Sequence, residues 1–499
     1  MEAARAAGVR EMKGKKIQID RKEIRFEVLF LTLIGLFLFA WAVIQPVTFS
    51  PDEQMRYKVV EYLFRHNALP HGGDPEVLDK SWGISYAFYP MLSYMVSYPF
   101  MKLVSLFTMN ERALLVAARM AEVLFGVGTA FYTLKIGKRF FKDAYEKMFL
   151  CLVTLLPGAF VLFSYVNCDS LALFATAMLI YSWIRGLEDE WSWKSCIRLA
   201  VGVSVCALSY YNAYGVILAS VIVFCFSILF CEEKKWNFKK LLTRGLVIIA
   251  IVAVLAGWWF ARNYVLYDGD ALGLHITTEY AEKFAAEARK PSNRYTFQMN
   301  PAANVFTMLF YQPANHHHNW MMMVYYSFIG SFGYMTIWPP EWIGKLFMVF
   351  FLIGTLGILP QLRSMFSLRR SRFSEKKRIC GTQMEIKYTY RLSRWSKEAV
   401  FHIGIALTLL LPNILNVYNS YVNDYQPQGR YSMPMLIPLM YFMTMGYRRL
   451  FEKYGRDSRV GKVFCYAVCI AMAAFLIYCY LFLVLPSCGI KWKKYLIGR

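Results

Sequence analysis

Nineteen residues near the N-terminus, 27–45, have the sequence EVLFLTLIGLFLFAWAVIQ and are followed at 49–53 by FSPDE. The first of these runs is long enough to cross the roughly 30 Å hydrocarbon layer of a bilayer as one helix. Residues 1–25 before it are basic, but the apolar run is too long for a cleaved signal peptide, so we expect a retained first span. Two carboxylates, Asp52 and Glu53, then lie just beyond the end of that span.

The rest of the chain continues this apolar pattern. Of its 499 residues, 57% are hydrophobic and 18% are charged, whereas soluble proteins have about 45–50% and 25%. That composition excludes a soluble multidomain enzyme and a disordered chain, and 11 cysteines are too few for a disulfide scaffold. The sequence therefore predicts an all-α polytopic membrane protein with a single transmembrane domain over 1–499.

The distribution of basic residues decides how many apolar runs cross the membrane. Twelve runs are candidates by length, and basic blocks between spans favour the cytoplasmic side. If the run at 86–107 crossed the membrane, basic blocks between later spans would lie on the side opposite to the basic N-terminus. If it does not cross, all of them lie on the same side as the N-terminus. We therefore predict about 11 transmembrane helices, with 86–107 as an amphipathic or re-entrant element in the first external loop. The predicted spans are 27–46, 113–134, 148–166, 169–186, 196–211, 213–231, 241–261, 342–361, 399–418, 432–447 and 460–485.

This topology leaves the N-terminus in the cytoplasm and two large loops outside. They are external loop 1, at 47–111, and a second external loop at 263–341. A long basic loop at 363–397 lies in the cytoplasm, where we expect it to contact anionic lipids. Because the net charge of +23 belongs mainly to such cytoplasmic blocks, we expect no nucleic-acid partner. External carboxylates and arginines are then the candidates for chemistry.

Two acids lie at helix starts on the external side. A capping box with Ser50 as N-cap would give Glu53 a structural role, but that box does not need Asp52. A carboxylate at the boundary of water and membrane is partly desolvated, so its basicity can be tuned for general-base catalysis. Asp169 begins a later span on the same side, where it would cap the helix or converge with Asp52 on a hydroxyl or a divalent ion.

Three arginines on this face complement the acids. Arg119 lies inside a span, where an unpaired cation is costly, and Glu122, three residues on, would neutralise it. Arg262 and Arg430 lie at span ends on the outside, against the positive-inside bias. They would either reach towards the headgroups or bind a phosphate with the guanidinium fork.

Other motifs give weaker signals. The triplet His316, His317 and His318 lacks partner ligands, and neighbouring side chains of an extended segment point to opposite sides, so we do not expect a metal there. The sequence has no phosphate-binding glycine loop, no serine nucleophile elbow and no haem or zinc spacing. We therefore expect no nucleotide or redox cofactor. Mg²⁺ or Mn²⁺, held by Asp52 and Asp169, is the one cofactor left open.

The order of these motifs resembles that of the GT-C superfamily of membrane glycosyltransferases, among them the protein O-mannosyltransferases and the bacterial aminoarabinose transferases. The resemblance covers nearly the whole chain. Two of the motifs, at 428–431 before a late span and at 327–333 upstream of it, are similar to those of a branch of bacterial GT-C-like proteins of unassigned substrate. The motifs, in chain order, are Asp52-Glu53 after the first span, Arg119 in the outer part of the next span, Asn167 and Asp169 at an external turn, Arg262-Asn263, Tyr267-Asp268-Gly269-Asp270, Ser327-Phe328-Ile329-Gly330-Ser331-Phe332-Gly333 and Gln428-Gly429-Arg430-Tyr431.

The resemblance implies an inverting glycosyltransferase in a bacterial plasma membrane. It would move a sugar from a polyprenyl-phosphate donor to a glycan or lipid acceptor of the cell envelope, on the extracytoplasmic face. Its other partners would be membrane lipids. In that reaction Asp52 would be the general base beside Glu53, and Asp169 would orient the acceptor or a metal ion. The residues implied for the donor phosphate are Arg430, Arg262 and Arg119.

Two other functions fit the same membrane architecture. A transporter or flippase of a lipid-linked saccharide would need a similar cavity and similar phosphate-binding arginines. Against it, no pair of corresponding broken helices indicates inverted repeats. A non-catalytic scaffold in an envelope-assembly complex is the third alternative. Only the transferase requires a base at the site.

Overall fold

A computed structural model describes residues 21–231, 236–314, 316–378, 385–454 and 458–489. Over these residues the chain is mainly helical. The α-helices are α1 (Arg21–Ile44), α2 (Glu53–His66), α3 (Leu92–Ser105), α4 (Glu111–Phe140), α5 (Asp143–Thr154), α6 (Pro157–Leu162), α7 (Asp169–Glu188), α8 (Trp193–Ala207), α9 (Tyr214–Phe226), α10 (Phe238–Val252), α11 (Trp258–Leu266), α12 (Leu274–Phe284), α13 (Val305–Phe310), α14 (Trp320–Ile329), α15 (Glu341–Ile358), α16 (Leu362–Met365), α17 (Lys397–Val422), α18 (Leu436–Tyr454), α19 (Ser458–Tyr478) and α20 (Leu485–Ser487).

Shorter helical segments extend or join these helices. Segments of π-helix follow α9, connect α10 to α11 and connect α19 to α20; they are Ser227–Cys231, Ala253–Gly257 and Cys479–Val484. Single turns of 3₁₀-helix occur at Tyr86–Phe88, Tyr211–Ala213, Glu287–Arg289, Pro291–Asn293, Phe297–Met299 and Leu359–Gln361, and a longer one at Gly429–Met435.

Eight helices in the described part of the chain are long and apolar enough to cross a bilayer. They are Glu23–Ile44, Glu111–Phe140, Asp169–Glu188, Tyr211–Cys231, Phe238–Leu266, Glu341–Met365, Lys397–Val422 and Arg459–Ser487. Each coincides with a predicted span. The prediction of an all-α polytopic membrane protein is therefore confirmed.

The three remaining predicted spans are also helical, but they are interrupted or short. The run at 148–166 is divided where α5 ends at Thr154 and α6 begins at Pro157, because proline is tolerated in the first turn of a helix and not in its interior. In the second of these spans, at 196–211, the helix α8 is short, with 15 residues. In the third, at 432–447, the first residues belong to a 3₁₀ turn, and α18 begins only at Leu436.

The segment at 86–107 contains α3, which packs against α2 and α4. With 14 residues, this helix is about 21 Å long at 1.5 Å per residue. A hydrocarbon layer is roughly 30 Å thick, so α3 is too short to cross it. Its assignment as an amphipathic or re-entrant element stays a prediction.

Helix α7 lies at the centre of the bundle. In its most apolar stretch 83% of the residues are buried, against 11% for the helix Phe238–Leu266. A helix that is apolar on all sides is buried on all sides, and α7 accordingly packs against α4, α8 and α9. Its first residue, Asp169, is also buried inside the protein.

The helices of external loop 1 have a core of their own. In α2, Val59, Val60 and Leu63 are buried, and they pack with Tyr94 of α3 in a cluster that also includes Val166. The predicted amphipathic spacing of α2 is present, but its apolar face is covered by protein. This packing fixes the N-terminal end of α2, where Asp52 lies.

The described part of the basic loop 363–397 forms a β-hairpin. Strand β1 (Leu368–Arg378) pairs antiparallel with β2 (Glu385–Trp395), with Leu368 opposite Trp395 and Arg378 opposite Glu385. The sequence did not predict this hairpin, because its charged residues hide the alternation typical of a strand. Contact of this loop with anionic lipids stays a prediction.

Candidate active site

Asp52 directly precedes α2 in a turn that the end of α1 supports. Its backbone is left-handed (φ 61°, ψ 0°), and its side chain makes no capping hydrogen bond. The hydroxyl of Ser50 donates to Gln45 Oε1 at 2.8 Å, and Gln45 Nε2 donates to Ser164 Oγ at 2.7 Å. The predicted capping box is wrong, because α2 begins only at Glu53. The carboxylate of Asp52 is consequently left for other contacts.

Asp52 forms an ion pair with Arg430, which is 378 residues further along the chain. Arg430 Nη2 donates to Asp52 Oδ2 at 2.7 Å and to Tyr431 Oη at 3.0 Å. The side chains of Asp52 and Arg430 are 28% and 10% exposed. Burial alone would raise the pKa of Asp52, but the charges of Arg430 and Arg56 outweigh it and lower the pKa to about 2. The structure thus joins the predicted base to a predicted phosphate-binding arginine.

Arg56, which we did not single out in the sequence, lies between the two predicted acids. It is fully buried, and its Nη1 donates to Asp169 Oδ2 at 3.2 Å. Its Nη2 lies 3.9 Å from Asp52 Oδ2, and its guanidinium lies 4.6 Å from the ring centroid of Tyr86. The spacing of four residues between Asp52 and Arg56 at a predicted helix was the signal for this contact.

Five buried polar atoms of this cluster have no hydrogen-bond partner among the described residues. They are Nε and Nη2 of Arg56, Nε and Nη1 of Arg430, and Oδ1 of Asp169. Buried polar groups are almost always paired, and an unpaired one costs about 1–3 kcal/mol, or more when it is charged. We take Asp52, Arg56, Asp169 and Arg430 as the candidate active site, because these free atoms suit a ligand with an anionic group and a hydroxyl.

Glu53 and Arg119 form a separate ion pair that is fully buried. Arg119 Nε and Nη2 donate to the two carboxylate oxygens of Glu53 at 2.7 and 2.6 Å, and the backbone N of Val166 donates to Glu53 Oε1 at 2.9 Å. The predicted neutralisation of Arg119 by Glu122 is therefore replaced by a pair with Glu53. Glu53 lies next to the predicted base in sequence but faces away from it.

The remaining N–H groups of Arg119 donate to backbone carbonyls at the end of the first span. Its Nη1 donates to Ala42 O at 2.6 Å and to Gln45 O at 2.7 Å, and its Nη2 reaches Pro46 O at 3.5 Å. All five N–H groups of this guanidinium thus have protein acceptors. These contacts favour a structural role for Arg119 over the phosphate binding that the sequence predicted.

The turn that presents Asp169 is fixed by its own hydrogen bonds. Asn167, one residue before the N-cap Cys168, accepts with its Oδ1 from the backbone N of Ser170 at 2.9 Å, in the first turn of α7. Glu122 accepts from the hydroxyl of Ser170 and, at 2.8 Å, from that of Ser93. Asn167, and not Asp169, thus provides the side-chain acceptor for the first turn of α7, and the carboxylate of Asp169 is free to join the cluster.

Arg262 lies in α11 and contacts a different part of external loop 1. Its Nη2 donates to Pro70 O at 2.7 Å, and its Nη1 donates to Asn263 Oδ1 at 3.3 Å. Its guanidinium lies 5.1 Å from the ring centroid of Trp259. None of its described contacts involves Asp52, so the structure does not bring this predicted phosphate ligand into the cluster.

A cleft with about 450 Å³ of empty space opens beside Arg430. Gly429 N donates to Ser327 Oγ at 2.7 Å, and a Cβ atom on Gly158 or Gly429 would lie 2.2 Å from the backbone of Phe328. Only glycine permits such a close approach, so two motifs singled out in the sequence form one wall. The lining residues are Ser50, Pro51, Gly158, Val161, Leu162, Tyr165, Ser327, Ser331, Phe332, Gly333, Met335, Gln428, Gly429 and Arg430.

The residues of the cluster do not fit a divalent cation. Across the described ranges, no three His, Cys, Asp or Glu side chains lie close enough together to hold a metal ion. The two predicted ligands, Asp52 and Asp169, are instead approached by Arg56, whose charge would repel a metal. In the histidine triplet, His318 Nε2 lies 3.8 Å from Glu341 Oε1 but has no third ligand among the described residues.

Comparison with known proteins gives matches in structure alone. No protein-family model matches the sequence, and no curated protein matches it either. An Archaeoglobus fulgidus oligosaccharyltransferase tethered to an acceptor peptide is 10% identical with a TM-score of 0.52, over 91% of this chain and 54% of that one. The AglB oligosaccharyltransferase of the same organism, in complex with an inhibitory peptide and dolichol phosphate, is 10% identical with a TM-score of 0.52, over 92% and 56%. The chain has the GT-C fold.

The GT-C fold predicted from the sequence is thus confirmed. This chain spans about half the length of the archaeal chains that it matches. The ArnT structure of Cupriavidus metallidurans bound to undecaprenyl phosphate is 12% identical with a TM-score of 0.48, over 93% of this chain and 74% of that one. Within this GT-C fold, the cluster is built from external loop 1, the start of α7 and the segment that precedes α18.

Proposed function

We propose that this chain is an inverting glycosyltransferase that moves a sugar from a polyprenyl-phosphate donor to a glycan or lipid acceptor. The reaction takes place on the extracytoplasmic face of a bacterial plasma membrane. The observation that carries the proposal is the contact between Asp52 and Arg430 beside the cleft, because a base and a cation with free donors meet there. The GT-C fold supports this general kind of reaction, and the matched AglB structure contains dolichol phosphate.

Arg430 binds the donor phosphate. Its Nε and Nη1 are buried and have no hydrogen-bond partner among the described residues, so each can donate a charge-assisted hydrogen bond to a phosphate oxygen. The cleft beside it is lined in part by small residues, among them Gly158, Ser327 and Gly429. The sugar of the donor lies in this cleft, next to the phosphate.

Asp52 accepts the proton of the acceptor hydroxyl while the oxygen of that hydroxyl attacks the anomeric carbon. The new C–O bond forms on the face opposite the phosphate, and the bond between the anomeric carbon and the phosphate oxygen breaks. Polyprenyl phosphate leaves with the electron pair, the configuration inverts, and the proton passes from Asp52 to solvent. Asp169 Oδ1, which has no hydrogen-bond partner in the described part of the chain, orients the acceptor hydroxyl. General-base catalysis contributes about 10²- to 10⁴-fold.

Donor binding makes Asp52 a better base. With a pKa of about 2, Asp52 is a weak base, whereas an effective general base has a pKa near the working pH. When the donor phosphate pairs with Arg430, it offsets the positive charge that lowers the pKa of Asp52. The effect of burial, which raises that pKa, then prevails. The base is thus activated only in the donor complex.

Glu53, Arg119 and Arg262 support this site as positioning residues. Arg119 holds Glu53 and the end of α1 together, which fixes the turn on which Asp52 lies. Arg262 donates to Pro70 O and so ties the end of α11 to external loop 1. Both arginines therefore act at a distance from the donor phosphate.

The test is a transfer assay in proteoliposomes with radiolabelled polyprenyl-phosphate sugars and envelope acceptors. We expect Asp52→Asn to lower transfer by about 10²- to 10⁴-fold while donor binding is retained, because Arg430 is unchanged. Asparagine tolerates the left-handed backbone at this position. Asp74→Asn is the matched control in the same loop, since its Oδ1 accepts from Glu76 N at 3.0 Å, a bond that an amide oxygen keeps.

Unchanged transfer by the Asp52→Asn protein would remove the proposed base. Movement of the labelled donor across the bilayer, with no transfer in any preparation, would identify a transporter or flippase instead. The control variant Asp74→Asn should keep normal transfer. It shows whether the replacement of any carboxylate in this loop would lower the rate.

A further inference from the structure

Arg56 lies where two carboxylates converge. Its Nη1 is 3.2 Å from Asp169 Oδ2 and its Nη2 is 3.9 Å from Asp52 Oδ2. Two acids that converge in this way, one supplied by a loop and one by a helix start, are a common arrangement for binding a divalent cation. Here the cation between them is a side chain of the protein itself.

A metal ion would not fit together with this guanidinium. Mg²⁺ requires about six oxygen ligands at roughly 2.0–2.1 Å in octahedral geometry, whereas one oxygen of each acid already faces Arg56. Arginine stays protonated at every physiological pH, so it would repel a divalent ion at this distance. Arg430 adds a second positive charge to the same cluster.

A comparison of two buried arginines indicates that Arg56 has a ligand besides the acids. Arg119 is also fully buried, and all of its N–H groups donate to protein acceptors. Arg56 is equally buried, but its Nε and Nη2 have no hydrogen-bond partner among the described residues. A purely structural arginine would be paired as Arg119 is. The unpaired groups of Arg56 lie in the cluster that includes Arg430, whose Nε and Nη1 are also unpaired.

We propose that Arg56 takes the place of a divalent cation, so that this site binds the lipid phosphate of the donor and works without a metal. The guanidinium holds Asp52 and Asp169 together, and its Nε and Nη2 donate to the phosphate that Arg430 binds from its other side. The proposal rests on the proposed function for the identity of the phosphate. The absence of a metal requirement follows from the geometry of the three side chains.

The first test measures metal binding directly and does not depend on transfer. The full-length protein in proteoliposomes is treated with EDTA, freed of chelator and titrated with Mn²⁺, which is followed by electron paramagnetic resonance. We expect no stoichiometric Mn²⁺ site. One Mn²⁺ per chain that is lost in Asp169→Asn would overturn the inference, even if transfer by the protein were never detected. Where transfer is measured, EDTA should leave its rate unchanged, and an EDTA loss restored by Mn²⁺ or Mg²⁺ would also overturn the inference.

The second test uses Arg56 variants in the transfer assay. We expect Arg56→Ala to lower transfer about 100-fold, the size found when one donor to a developing anion is removed. Added ethylguanidinium should restore part of the rate, and Mn²⁺ should not. Arg65→Ala, on the same helix and exposed beside Glu61, is the control. Restoration by Mn²⁺ alone would show that the acids need a metal, and normal transfer without Arg56 would remove its role.

Discussion

At the scale of single residues, the ionisation of Asp52 in the site is set by the side chains next to it. Asp52 has a pKa of about 2 in the donor-free protein because Arg430 and Arg56 outweigh the effect of burial. It is therefore ionised throughout the physiological range. In the proposed mechanism, the donor phosphate pairs with Arg430 and thereby raises the pKa of Asp52.

The pH dependence of transfer should reveal this step. The acid limb of kcat/KM for the donor reports the free protein, so Asp52 should give no limb between pH 5 and pH 8. The acid limb of kcat reports the donor complex, where the pKa of Asp52 is raised. We expect kcat to be retained above that raised pKa and lost as the pH falls through it. Parallel pH profiles of kcat and kcat/KM would contradict activation by the donor.

Most residues of the site could be predicted from their positions in the sequence. Asp52, Asp169 and Arg430 each lie next to a span end on the same predicted side, and they meet in the structure. Arg56 was missed because its partners come from two regions, and only one of them is local. Arg262 has the same sequence signal as Arg430, so only the path of the chain distinguishes the two.

At the scale of elements, one ion pair connects three helices. Arg119 of α4 pairs with Glu53 at the start of α2 and also donates to carbonyls at the end of α1. A buried charge without its partner is costly, whereas a neutral replacement of both partners costs less. The pair therefore fixes where external loop 1 begins.

Breaking the pair of Glu53 and Arg119 should lower the stability of the protein and should not act directly on sugar transfer. We expect Glu53→Gln to lower the free energy of unfolding by about 3–5 kcal/mol, because the buried charge of Arg119 loses the carboxylate that neutralises it. The double variant Glu53→Gln with Arg119→Met should recover part of that loss. Unfolding in mixed detergent micelles measures both. Arg65→Gln, which breaks the exposed pair with Glu61, should change stability by less than about 1 kcal/mol.

The opposite result would identify Glu53 as a catalytic group. In that case, Glu53→Gln would keep the stability of the parent protein and lose transfer. A double variant no more stable than the single one would contradict the assignment of Arg119 as its structural partner.

The elements themselves were predictable to different degrees. Long apolar runs gave the eight spanning helices because length and hydropathy are sufficient evidence for them. The break before Pro157 depends on packing as well as on the proline, and hydropathy averages over it. The β1–β2 hairpin was missed, since its strands are rich in charge and lack simple alternation.

At the scale of the whole molecule, different groups of ion pairs lie at the two ends of the helix bundle. At one end Arg139 pairs with Glu188, and Lys397 Nζ lies 3.2 Å from Glu190 Oε1. At the other end lies the cluster of Asp52. The pairs of Arg139 and Lys397 belong to segments that the charge pattern assigned to the cytoplasm. The cluster of Asp52 belongs to segments that it assigned to the outside. The grouping agrees with the predicted sides.

Thiol labelling in intact cells would test which end faces out. In a background without native cysteines, Glu287→Cys in the second external loop should react with a membrane-impermeant maleimide. Glu190→Cys should react only after the cells are opened. Both positions are exposed to solvent, so a lack of labelling would report the membrane side. Labelling of Glu190→Cys alone in intact cells would reverse the orientation and move the site into the cytoplasm.

The separation of Asp52 and Arg430 by 378 residues also bears on biogenesis. At about 5–20 residues per second, the ribosome needs roughly 20–75 s after making the carboxylate before it has made its guanidinium partner. Arg56 and Asp169, only 113 residues apart, can meet much earlier. A nascent chain halted before the segment at 428–431 would thus lack the guanidinium that contacts Asp52 most closely, and the site would be completed only late in synthesis.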